Sequence, residues 1–137
     1  MNDQATDFAP VSEAITRGIR VEVLSRYSPE HSKPHQGVWV FQYTIRITNQ
    51  GSESVQLLSR HWFITDALEN VKEVQGPGVV GEQPVIPPGE SFKYSSWSPL
   101  KTPTGVMRGT YQMVRGTSDE FDVEIAPFGL KAPYTIH

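Results

Sequence analysis

V-W-V-F-Q-Y-T-I-R-I-T, residues 38–48, decides the fold class. Trp39, Phe41, Tyr43, Ile45 and Ile47 take every second position, and Gln42, Thr44, Arg46 and Thr48 take the alternate ones. A helix would scatter these two sets around its circumference, whereas a pleated strand separates them onto opposite faces. The stretch therefore reads as a strand with one face in a core. Phe41 and Ile45 belong to the inner face and Thr44 to the outer one.

The same reasoning extends outward. Residues 19–23 alternate with Ile19, Val21 and Val23 inward. Asn49-Gln50-Gly51-Ser52 reads as a hairpin turn, with Gly51 able to take positive φ. Residues 54–66 are extended but apolar on both faces. Val55, Leu57 and Phe63 share one, and Leu58, Trp62 and Ile64 share the other. Such a strand is either covered on both sides or switched part-way by a bulge. Residues 67–70 turn the chain, with Asn70 suited to the left-handed region, and residues 71–75 return. Pro77, Pro84, Pro87 and Pro88 exclude both a helix and a central strand over residues 76–89, which must cross between sheets or follow an edge. Strands follow at residues 91–97, 106–115 and 121–125, the second with Met107, Tyr111 and Met113 aligned. Residues 98–105 read as a loop, and Pro127 and Pro133 mark an irregular tail.

Seven or more short strands with no helical period predict an all-β fold, an antiparallel β-sandwich of the immunoglobulin or fibronectin type III kind. G-T-Y-Q-M, residues 109–113, places Tyr111 two positions before a core residue, as in the tyrosine corner of such sandwiches. One domain over residues 16–137 follows a flexible start at residues 1–15.

The 137 residues carry a net charge of -3 and no basic run, which argues against nucleic-acid binding by phosphate neutralisation. With no cysteine, disulfides, thiolate metal sites and cysteine nucleophiles are excluded. The acidic start lacks the basic and apolar segments of a signal peptide, and no apolar run reaches transmembrane length. The expected location is the cytoplasm.

Three groups of residues are candidates for chemistry. Gly76-Pro77-Gly78-Val79-Val80-Gly81 fits the G-x-G-x-x-G dinucleotide pattern. That pattern normally opens a helix whose N-terminus holds the pyrophosphate. Pro84, Pro87 and Pro88 prevent the helix here, so any grip on phosphate falls to the amides of residues 78–81. Its structural reading is a tight glycine loop. Arg60, His61 and Asp66 form the second group, a possible polar site or else a hydrogen-bonded histidine and a structural ion pair. His61 shares no strand face with the other two. Glu30, His31 and His35 could ligate a metal from the first loop, but three loop residues make a poor site. Trp39, Trp62 and Trp97 suit a stacking platform or, since they lie in or near alternating strands, the core.

The chain also resembles a known family. The segments I-T-N-Q-G-S-E-S-V-Q-L-L-S-R-H-W-F-I-T-D-A (residues 47–67), E-V-Q-G-P-G-V-V-G-E-Q-P (73–84) and P-P-G-E-S-F-K-Y-S-S-W (87–97) are similar to those of ApaG proteins. So are residues 100–113 and 121–130. The resemblance implies a fibronectin type III-like domain. It also implies an association with diadenosine tetraphosphate hydrolase genes and with cobalt and magnesium tolerance. Similar domains appended to F-box and polymerase-interacting proteins imply a binding module. No triad, metal set or carboxylate pair converges in the sequence. The expected function is accordingly non-enzymatic, with a protein partner, no cofactor and no membrane, and with self-association possible through sheet edges. Weak phosphate binding at the glycine loop is the alternative.

Overall fold

A computed structural model describes residues 8–133. The strands are β1 (Ser12–Thr16), β2 (Ile19–Tyr27), β3 (Trp39–Asn49), β4 (Val55–Asp66), β5 (Val71–Pro77), β6 (Val85–Ile86), β7 (Ser91–Leu100), β8 (Thr104–Arg115) and β9 (Asp119–Lys131). They form two antiparallel sheets. One has the order β1-β2-β3-β7; the other has the order β5-β4-β8-β9, with β6 paired to β4. Among the described residues no helix is long and apolar enough to cross a membrane.

The core lies between the sheets and follows the period-two pattern. Phe41, Ile45 and Ile47 from β3 meet Leu57 and Trp62 from β4, Met107, Tyr111 and Met113 from β8, and Val123 and Ile125 from β9. Aromatic contacts cross the gap: Tyr43 lies edge-on to Trp62, with centroids 5.4 Å apart, and tilted against Phe128 at 6.1 Å. On the outer face of the first sheet, the buried Glu22 accepts from Arg46 at 2.8 and 3.2 Å, so its charge is paired. Phe8 covers that pair, with the Arg46 guanidinium 4.4 Å from its ring centroid.

Several local expectations are corrected. The flexible start does not extend to residue 15, because Phe8 is buried and β1 pairs with β2. β1 joins mainly through its backbone, so its side chains carry little apolar signal. Asn49–Ser52 is a corner between sheets rather than a hairpin, since β3 and β4 belong to different sheets. Gly51 is absent from the positive-φ residues. Instead the buried Asn49 holds the corner, accepting from Gly51 N at 2.9 Å and donating to Glu53 O and Ile86 O. In the turn after β4, Glu69 (φ 68°), not Asn70, takes the left-handed conformation. β7 runs on to Leu100 through Pro99, which an edge strand tolerates. β9 runs on to Lys131 through Pro127. Met107 pairs with Phe128 and Gly109 with Ile125, so Ala126 and Pro127 sit in a bulge where a missing N–H breaks no ladder bond. Tyr111 is no tyrosine corner: its hydroxyl pairs with that of Tyr94 across the core, not with backbone.

The double-sided pattern of β4 resolves as a bulge. Its register against β8 slips between Leu57 and Ser59, so Val55 and Leu57 before the slip and Trp62 after it all face inward. The same slip turns Arg60 toward the inter-sheet space.

The two lateral sides of the sandwich differ. On one, β9 packs against β1 and β2, tied by Ser25 Oγ donating to Gly129 O at 3.0 Å and Glu124 N donating to Thr16 Oγ1 at 3.0 Å. On the other, the edge strands β5 and β7 flank a groove. The facing assignment is tested by denaturant melts. Phe41→Ala should lose ~3–5 kcal/mol through the cavity it leaves, and Thr44→Ala well under ~1 kcal/mol. Equal losses would mean that β3 faces the other way.

Candidate functional site

The residues singled out in the sequence occupy three separate places. His61 is on the outer face of β4, where Nε2 lies 2.6 Å from Glu73 Oε2, Nδ1 lies 3.2 Å from Gln75 Nε2, and the ring packs 4.4 Å from that of Phe63. Asp66 closes the β4–β5 turn. Its Oδ1 accepts from Leu68 N and Asn70 N, both at 2.9 Å, and its Oδ2 from Asn70 Nδ2. The Asn70 backbone bond is the chief cause holding its carboxyl below the usual range, with Lys101 adding a smaller effect. Both residues are thus occupied with local structure. Arg60 faces the middle of the groove, and Asp66 lines only its far end.

Arg60 also accounts for the glycine motif. Gly76 lies opposite it in the β4–β5 ladder. A Cβ on Gly76 would come within 3.0 Å of Arg60 Nη1 and 3.3 Å of Cζ, so the absent side chain is what lets the guanidinium lie across β5. Nη1 then donates to Pro77 O and Gly78 O, both at 3.0 Å. Gly78 (φ 60°) lies so close to Glu82 that a Cβ would stand 2.2 Å from its carbonyl oxygen. Val79 and Glu82 exchange both backbone bonds around Val80 (φ 43°) and Gly81 (φ 81°). Two positive φ values in a two-residue loop are the signature of a type I′ turn.

This geometry runs against a phosphate nest. The amide of Gly78 donates to Leu58 O and that of Val79 to Glu82 O. The loop gives the carbonyls of Pro77 and Gly78 to Arg60, and only the amides of Val80 and Gly81 are left from residues 78–81 for an anion. Lys72 and Lys93 are the nearest cations in sequence, but the cation lying against the loop is Arg60, brought there by strand register. The β-branched Val80 in the left-handed region is a strained residue, and it is half exposed at the loop tip.

The groove beside this loop is continuous. One part, of about 340 Å³, is lined by Tyr43, Arg60, Tyr94, Ser96 and residues 79–81. The next, of about 180 Å³, shares Tyr43, Arg60 and Ser96 and adds Trp62, Lys72 and Ser98. A third, of about 390 Å³, shares Ile64, Lys72 and Pro99 with the second and adds Val38, Val71, Leu100 and Lys101. Three cations and one carboxylate, Asp66, line its length, although the chain as a whole is acidic. Burial raises the hydroxyls of Tyr43, Tyr94 and Tyr111, and the Arg60 charge opposes this in each. The three phenols stay protonated and able to donate at neutral pH.

Of the remaining candidates, His31 Nδ1 lies 2.7 Å from Ser28 Oγ, and its ring sits against Trp97 at 4.6 Å. Among the described residues no three His, Asp or Glu side chains are grouped to hold a metal. Trp62 is buried, but Trp97 departs from the core reading: it is 45% exposed on the outward face of β7.

The sequence model of the ApaG domain matches residues 29–115. The chain belongs to the ApaG family. It is 54% identical to Protein ApaG of Bordetella pertussis over 119 residues, 87% of this chain and 91% of that protein. It is 50% identical to Protein ApaG of Anaeromyxobacter dehalogenans over 127 residues, 93% of this chain and all of that one. A crystal structure described as the putative ApaA protein from Bordetella pertussis superposes with a TM-score of 0.82, at 54% identity, covering 85% of this chain and 95% of its own. The C-terminal domain of wzt, 8% identical with a TM-score of 0.56, shares the fold alone.

Gly78→Ala tests the structural reading of the loop. The clash with Glu82 O adds to the cost of a side chain at positive φ, for a total loss of about 2–4 kcal/mol. Gly37 has φ 74° and nothing within 4 Å of a Cβ, so Gly37→Ala isolates the conformational part, about 1 kcal/mol. Equal losses in thermal or urea melts would show that Gly78 is not packed as described.

Proposed function

We propose that this domain is a non-enzymatic binding module of the cytoplasm whose partner is a protein, and that the partner seats on the open side of the sandwich. The observation that carries the reading is the pair of edge strands β5 and β7 flanking one groove. An edge strand presents backbone N–H and C=O groups that an extended segment can pair with. The groove beside it supplies side-chain pockets at alternate positions. Val71, Val80 and Trp97 leave large apolar surface exposed around it. Exposed aromatic and aliphatic groups beside a concave surface suit a protein contact.

Pyrophosphate binding by the glycine loop is supported less well, because the Gly78 and Val79 amides already have partners and the helix such a loop needs is missing. Trp97 could offer a base only one face, since His31 covers the other.

Site-specific photo-crosslinking in cells tests the proposal. A photoreactive residue at Ser95, on the outward face of β7, should give discrete protein adducts. The same residue at Glu13, on β1 at the closed side, should give none of them. Identical adducts from both positions, or none from Ser95, would overturn the proposal. Adducts consisting of a second copy of this chain would identify the partner as itself.

A further inference from the structure

We propose that the slot beside Arg60 is a receptor for a carboxylate carried by an acidic segment of the protein partner. The inference rests on the binding-module reading above and adds what the partner must present.

The first argument is the chemistry of the lining. Tyr43, Tyr94, Ser96, Ser98, Arg60, Lys72 and the Trp62 indole surround the two inner parts of the groove, and no carboxylate lines either. Every one of these polar groups can donate, and three of them can only donate. A cavity with two cations, an indole N–H and no carboxylate is complementary to an acceptor with negative charge.

The second argument is an orphaned pair of buried atoms. Trp62 Nε1 and Ser98 Oγ have no hydrogen-bonding partner among the described residues. Both residues are 2% exposed, and both line the same part of the groove as Arg60. Leaving a buried polar group unmatched is costly, so such atoms are normally satisfied. An indole N–H can be satisfied only by an acceptor. An oxygen entering between Trp62 and Ser98 would match both.

The third argument is the state of Arg60. No carboxylate among the described residues lies within ion-pair distance of it. Nη1 has two hydrogens, and both are directed at the carbonyls of Pro77 and Gly78. That fixes the guanidinium plane and leaves the Nε–Nη2 edge. This edge is a planar fork matched to the two oxygens of one carboxylate. Gly76 is then a positioning residue: it lets the guanidinium lie flat across β5. A polyphosphate would ask for further donors from the glycine loop, whose Gly78 and Val79 amides are occupied.

The source is argued from the surroundings. The groove runs alongside the β7 edge, so a segment paired to that strand would carry side chains past the slot at alternate positions. Lys72 and Lys101 extend the positive lining toward the far end. A segment with one acidic residue at the slot and further acidic character beyond it fits both features.

The test uses the full chain labelled with nitrogen-15 and follows the Trp62 indole N–H and the Arg60 Nε–H. Sodium acetate is titrated at constant ionic strength against sodium chloride, with acetamide as the neutral isostere and inorganic phosphate as the competing oxyanion. Acetate should move the Trp62 indole signal saturably and leave those of Trp39 and Trp97 in place, and acetamide should not. Arg60→Met should abolish the shift, and Ser98→Ala, which keeps the charge and the fold, should weaken it at least three-fold. A blocked pentapeptide, acetyl-Thr-Val-Glu-Val-Thr-amide, should give the same Trp62 shift together with shifts along β7. Its glutamine counterpart should bind at least ten-fold more weakly.

No saturable Trp62 shift with acetate, or an equal one with acetamide, would overturn the proposal. So would a glutamine peptide that matches the glutamate one, or phosphate that saturates the slot at a tenth of the acetate concentration. These outcomes are separable from failure of the binding-module reading. Acetate held in the slot with no adduct at Ser95 would retain the receptor and remove the protein. Adducts at Ser95 unaffected by Arg60→Met would do the reverse.

Discussion

The register slip between Leu57 and Ser59 in β4 is the constraint on which the rest depends. Without it, the period-two pattern would carry the residue at position 60 to the face opposite Trp62's neighbours in the core, and the strand would be apolar on the wrong side after Leu57. With it, Leu57 and Trp62 both enter the core and Arg60 is aimed at the space between the sheets. A charge placed there needs backbone acceptors. The β5 strand provides them as the carbonyls of Pro77 and Gly78, and Gly76 provides the clearance. The glycine motif, the bulge and the buried tyrosines are therefore one arrangement: a cation held at the mouth of a sandwich.

The asymmetry of the sandwich gives that cation its setting. β9 is the longest strand and continues past its bulge to lie against β1 and β2, closing one side. β5 is short, with much of it exposed, and does not reach across to β7. On one side β9 covers the β1 edge; on the other the edges of β5 and β7 are left open. Pro99 and Lys93 on β7 are the kind of residue that discourages indiscriminate pairing. A partner that pairs with β7 must then be selected by the groove, and the groove selects by charge and donors.

Much of the fold was legible in the sequence because β3 writes its facing in a strict alternation, and β2, β7, β8 and β9 repeat it. What was not legible depended on pairing across the chain. Asn49–Ser52 looks like a hairpin because its composition suits a tight turn, and nothing local shows that β3 and β4 part into different sheets. β1 has only half-buried or exposed side chains, which leave a weak signal, and in the continuation of β9 the proline and glycine of P-F-G-L mask the alternation of Phe128 and Leu130. For the site, Arg60 was visible as a polar residue in an apolar strand, and the glycine loop as a motif. Their union is a matter of register, which brings Gly76 opposite Arg60. Grouping Arg60 with His61 and Asp66 followed sequence proximity; strand geometry puts His61 on the opposite face, and Asp66, on the same face as Arg60, is taken up by the β4–β5 turn at the far end of the groove. Ser98 gave no sign at all, since a serine in an expected loop reads as solvated until burial shows otherwise.

The central claim is that the open side of the sandwich holds a preformed, cationic slot at Arg60, lined by donors and free of carboxylates. The most direct measurement is an anomalous difference map from crystals soaked in bromide, collected at the bromine edge. The account predicts a bromide peak inside the slot, within reach of the Arg60 Nε–Nη2 edge and near Trp62 Nε1 and Ser98 Oγ. Bromide found only at lysines on the outer faces, with nothing in the slot, would contradict it.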